Sequence, residues 1–186
     1  MNARTLLGVL IAAIATFLWG FLFWGANTLT YSSWSATEDD AKTQAVLTEL
    51  FPNPGYYSVP SLAQHTPEAF ARLIDDGGVW ATVNMDYTPP QSGDPTTLMF
   101  GFAHGVVVMF LLALLIMHSK SNRLRNALLA GLMAAVFSNI GDVIWWNYPL
   151  NWKLTIFVYD LGFWLIGGFV LSFFMRGQDN PPAGAT

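Results

Sequence analysis

Three ionisable side chains, His104, Asp142 and Asp160, fall inside long apolar runs of this chain. One imidazole with two carboxylates is a ligand set that suits a hard or borderline divalent metal ion, and the same groups taken out of water can hand on protons. An Asp at the centre of a membrane helix costs roughly 2.5–3.5 kcal/mol, so such residues turn toward a bundle interior or a water-filled cavity. At a rise of about 1.5 Å per residue, His104 lies roughly 12 Å, Asp142 roughly 6 Å and Asp160 roughly 10 Å from the same end of their runs. His104, Asn139, Asp142 and Asp160 are therefore expected to converge, with Ser138 adding a hydroxyl. Two other readings stand beside a metal or proton site. The cluster can be a structural network that fixes helix register, or Asp142 can snorkel to the interface without meeting the others.

The residues around these groups indicate how the helices present them. Ala130, Ala134, Ser138 and Asp142 recur every fourth residue, with Gly131, Ala135 and Asn139 on the adjoining row. A small and polar stripe of this kind is where another helix packs. Gly101 and Gly105 form a small-xxx-small pair beside His104, and Asp160, Trp164 and Gly168 share one face. The expected helix-packing positions are Gly101, Gly105, Ala130, Ala134 and Gly168.

The runs themselves fix the fold class. Of 186 residues, 53% are hydrophobic and 11% charged, against roughly 25% charged in a soluble domain. A membrane helix needs about 20 mostly apolar residues, and four stretches supply them: residues 6–26, 98–117, 124–146 and 154–175. The expectation is an all-α integral membrane protein, a four-transmembrane-helix bundle with a small α+β cap between helices one and two. The first run, in segment 1–26, is too long for a secretory signal and reads as an uncleaved signal anchor. The tail 177–186, rich in Pro, Gly and Ala, is expected to be flexible.

Five basic residues (Arg4, Lys120, Arg123, Arg125, Arg176) flank one set of helix ends, and Lys42, Arg72 and Lys153 fall on the other side. The positive-inside rule then puts both termini in the cytoplasm of a cell with the chain in its plasma (inner) membrane, and exports residues 27–97. The exported segment holds nine acidic and two basic residues, about −7 in charge, which argues against nucleic acid as a partner. Within it, Ser35 and Glu38 form a capping-box pattern that predicts a helix over 36–51. Thr66 followed by Pro67 opens a second, short helix that Gly77 and Gly78 stop. Tyr56–Val59 and Val79–Met85 read as a two-stranded ribbon.

Without cysteine, thiolate metal sites and disulfides are excluded. No Walker loop, Rossmann fingerprint, nucleophile elbow or His-Glu-x-x-His pair is present, which argues against soluble-type nucleotide or hydrolase chemistry. With one histidine inside a span, a bis-histidine haem is excluded too. His65 and His118 read as surface and boundary residues. The functional expectation is a non-catalytic accessory or scaffold subunit lodged in the lipid bilayer against other membrane subunits, without a cofactor. The alternative is a small ion-handling, proton-handling or metal-binding protein whose site is His104, Asp142 and Asp160.

Overall fold

The structure, a computed structural model, describes residues 1–26, 28–61, 63–89, 94–119 and 122–176. Lys120 and the tail 177–186 lie outside the described residues. The chain divides into two compact units, Ala36–Gly93 and the remainder.

The larger unit is helical. Helix α1 (Ala3–Gly20) runs on through a π-helical turn, Phe21–Gly25, and a short 3-10 turn follows at Leu29–Ser33. In the smaller unit α2 (Asp40–Leu50), β1 (Gly55–Val59), α3 (Pro67–Asp75) and β2 (Ala81–Met85) come next. The larger unit resumes with α4 (Pro95–Ile116) and α5 (Arg123–Ala135). A second π turn, Val136–Ile140, joins α5 to α6 (Gly141–Trp146), and α7 (Leu150–Phe174) closes the unit. Four continuous helical stretches, Ala3–Gly25, Pro95–Ile116, Arg123–Trp146 and Leu150–Phe174, are long and apolar enough to cross a membrane. The fourth begins four residues earlier than its apolar run predicts, which draws Lys153 inside the helix.

The N-terminus, the connection between α4 and α5 and the end of α7 share one end of the bundle, which carries Arg4, Arg123, Arg125 and Arg176 and is termed the basic end. The core sits in that half: Val9, Ala12 and Ala13 of α1 meet Met109, Leu112 and Ile116 of α4 and Leu171 of α7. Glycines set the helix separations. A Cβ on Gly131 would lie 2.3 Å from Trp164 Cγ, one on Gly167 2.5 Å from Met109 Sδ, and one on Gly168 2.8 Å from Ala127 Cβ. Arg123, 8% exposed, donates from Nη1 to Met175 O at 2.8 Å and so caps the last turn of α7, where a cation also meets the negative end of the helix dipole.

Two packing expectations need correction. A Cβ on Gly101 or Gly105 would meet no atom within 4 Å, so this pair sits at no tight helix crossing. The buried row of α5 and its π turn is Ala127, Gly131, Ala135 and Asn139, whereas Ala134 and Ser138 are exposed and Ala130 is half-buried. The cause is Trp164: its indole root needs a position without a Cβ, and Gly131 supplies it. That choice turns the adjoining row, not the Ala130 row, toward α7.

In the smaller unit β1 and β2 pair antiparallel, with Gly55 opposite Met85 and Val59 opposite Ala81. Thr66 caps α3, and Gly77 at φ +85° ends it in a conformation that suits glycine. Helix α2 starts at Asp40 instead of Ala36, because the Asp39 carboxylate accepts from Lys42 N at 3.0 Å and displaces Ser35 as N-cap. None of the described residues 36–89 is buried.

Asp94 caps α4. The Thr96 hydroxyl and backbone N–H, the latter at 2.9 Å, hold its carboxyl below the usual carboxylate range. A depressed folded value means the cap contributes at neutral pH and is lost as pH falls through that value. The exchange protection of the Thr96 amide is expected to stay flat down to the ordinary Asp value of about 3.9 and to fall below it. Protection that starts to fall near neutrality would contradict this.

Candidate functional site

At the end of the bundle opposite the basic one, the helices part. α1 packs along α4 and α7, and α5 along α7, but α4 scarcely touches α5 or α7. The cause lies in the side chains: the core residues of α4 all belong to its second half, and Leu98, Met99 and Phe100 in the first turns are exposed. The result is a cleft of about 970 Å³ between α4 on one side and α1 and α7 on the other, with Ala130 of α5 at its border. Thr16 and Phe17 of α1, Val108 and Leu112 of α4 and Phe163 of α7 make most of its wall apolar.

His104 and Asp160 both line this cleft. His104 lies nine residues into α4 and Asp160 ten residues into α7, roughly 14 Å and 15 Å along their helices from the same end. His104 is exposed to the cleft, and its imidazole makes no hydrogen bond to any described residue. Asp160 is positioned by Asn139, whose Nδ2 donates to Asp160 Oδ2 at 2.7 Å and to Ala135 O at 3.0 Å. Asn139 is only 1% exposed and belongs to the second π turn. Such turns recur at functional sites because they redirect one side chain without ending the helix; here the redirected group is the amide that holds Asp160.

Asp142 belongs elsewhere. It forms an ion pair with Lys153 across the three-residue connection between α6 and α7, and Lys153 also lies over the Tyr148 ring at 4.7 Å. Among the described residues no group of three His, Cys, Asp or Glu is placed to hold a metal ion, and the expected trio is divided: His104 and Asp160 at the cleft, Asp142 at the helical hairpin. Ser138 faces outward.

Aromatic rings complete the cleft. Tyr159 and Phe163 flank Asp160 on α7 with ring centroids 6.3 Å apart, and Trp164 follows edge-on to Phe163 at 5.6 Å. From the first π turn, Trp24 meets Tyr159 at 5.3 Å and Tyr31 at 6.3 Å. The first π turn makes this approach, and its end is secured by the chain that follows: Thr30 Oγ1 donates to Phe23 O at 2.7 Å and Tyr31 Oη to Trp24 O at 3.0 Å. The signal in the sequence was Tyr159, Asp160, Phe163 and Trp164, an acid bracketed by rings at helical spacing inside an apolar run. Chemically, the site pairs one hydrogen-bonded carboxylate and one free imidazole with π faces, in walls suited to a hydrocarbon chain.

Compared with known proteins, the chain matches no family model, no curated protein and no solved structure.

Proposed function

We propose that this is a plasma-membrane protein, with its basic end cytoplasmic and residues 27–97 exported, that binds a lipophilic molecule in the intramembrane cleft. One observation carries the reading: the cleft gathers two costly ionisable side chains, His104 and Asp160, neither in an ion pair among the described residues, against apolar walls. A scaffold turns small and aromatic residues outward and has no use for such groups around a hollow, whereas ligand sites are largely apolar concavities with a few polar groups. Because α4 and α5 scarcely touch, a membrane-dissolved molecule has a lateral path into the cleft from the bilayer.

A cleft-lining glycine with space beside its Cα makes the test clean. Gly105→Leu fills space in which a Cβ meets no atom within 4 Å. Binding of a dansyl-labelled alkyl probe to the purified protein in nonionic detergent is expected to weaken about tenfold or more, corresponding to about 1.4 kcal/mol, with little change in thermal stability. Equal binding by wild type and Gly105→Leu would remove the cleft as the site.

The accessory-subunit reading retains one supporting observation. None of the described residues 36–89 is buried, and Val79 and Tyr56 are 75% and 64% exposed, so this unit has apolar surface for a partner to cover. Mild-detergent purification with mass spectrometry of co-purifying chains tests it: stoichiometric partner subunits support that role, and a lone chain opposes it.

A further inference from the structure

The cleft's polar groups point to one class of ligand head. Asp160 is a carboxylate within a membrane-spanning helix whose Oδ2 is held by the Asn139 amide. No cation among the described residues lies within ion-pair distance of it, and Lys153, two turns away on the same helix, is engaged by Asp142. Rings line the same cleft: Tyr159 and Phe163 from α7, Trp24 from the first π turn and Tyr31 from the 3-10 turn after it. A carboxylate among aromatic faces is the arrangement that favours an organic ammonium, because each π face attracts a cation and the carboxylate supplies the opposite charge. His104, free of hydrogen bonds to described residues, offers an imidazole nitrogen that can accept from an ammonium N–H. An anionic head would meet the uncompensated charge of Asp160, and a neutral hydroxyl would gain nothing from the ring faces.

We propose that the cleft binds a cationic amphiphile, an amine or quaternary ammonium carrying a hydrocarbon chain, with the ammonium at Asp160 within the Trp24, Tyr159 and Phe163 rings and the chain along the apolar wall of α4. Charge complementarity selects the head, and the lateral gap between α4 and α5 selects a molecule delivered from the bilayer. The proposal rests on the cleft being a binding site, and the experiment separates the two claims.

Displacement of the dansyl-labelled alkyl probe is measured in nonionic micelles with three competitors of identical chain at matched mole fraction: oleylamine, oleyl alcohol and oleic acid. Oleylamine is expected to displace the probe about tenfold more effectively than oleyl alcohol, with oleic acid the weakest. In Asp160→Asn, which keeps an acceptor for the Asn139 amide, the amine is expected to lose its advantage while the alcohol competes as before. Equal competition by amine and alcohol in wild type, or an amine advantage unchanged in Asp160→Asn, would overturn the ammonium assignment and leave the cleft a site for apolar chains. The wild-type comparison decides the matter even where the variant fails to fold. A probe that binds wild type and Gly105→Leu alike would remove both claims together.

Discussion

Gly131→Ala is expected to destabilise the bundle by about 2 kcal/mol, within the range for overpacked cores, although the same substitution at Gly101 or Gly105 should stabilise it or leave it unchanged. Replacing a mid-helix glycine by alanine gains roughly 0.5–1 kcal/mol of backbone entropy and propensity, so available space decides the sign. At Gly131 the new Cβ would stand 2.3 Å from Trp164 Cγ and 2.4 Å from Trp164 Cβ. Both atoms lie at the root of the indole, so no rotamer change clears them, and α5 must move away from α7. At Gly101 and Gly105 the new methyl meets nothing within 4 Å, so Gly101→Ala and Gly105→Ala should hold or raise the melting temperature. Thermal melts of the three variants in one detergent check the signs. Since Trp164 Cβ is itself too close, adding Trp164→Ala to Gly131→Ala should not restore stability. Rescue by that second change would show that the clash was confined to the ring.

This contrast marks what the sequence could tell. Four apolar runs of about 20 residues predict four helices long and apolar enough to cross a membrane, and the structure has them, because only a helix satisfies its own backbone in lipid. The like depths of His104 and Asp160 were legible from residue counting, and the two do line one cleft. Rotation of a helix about its axis was not legible. The rows containing Ala130 and Gly131 are both small and differ by one residue, and only the placement of Trp164 chooses between them. Nor does a composition-based window reveal a π turn, yet the turn at Val136–Ile140 carries the amide that holds Asp160. The α2 start was misplaced for a local reason: Ser35 and Asp39 are both competent caps, and the carboxylate prevailed. Lys153 was assigned to a flank because an apolar window stops at a charged residue, whereas a helix continues wherever that charge finds a partner.

That partner leads to the second large effect. Asp142→Asn is expected to cost more than Lys153→Met, although both break the same ion pair. The Lys153 side chain is 10% exposed and that of Asp142 32% exposed, so removing the carboxylate strands the more deeply buried charge. Breaking a fully buried pair costs roughly 3–5 kcal/mol. With Asp142 a third exposed, about 1–2 kcal/mol is expected for Lys153→Met and about 2–4 kcal/mol for Asp142→Asn. The double variant should be more stable than Asp142→Asn alone, since neither charge is then stranded, and a thermodynamic cycle over the four proteins measures the coupling. The exchange also reaches the cleft. Lys153 and Asp160 are seven residues apart on α7, on nearly the same face. Once released from Asp142, the ammonium of Lys153 has the Asp160 carboxylate as its nearest alternative on that helix, where it would compete with any ligand cation. Asp142→Asn should therefore weaken oleylamine displacement of the probe without touching the cleft wall, and Lys153→Met should restore it in the double variant. If amine binding in Asp142→Asn matches wild type, the ion pair serves the α6–α7 hairpin alone and Asp160 does not depend on it.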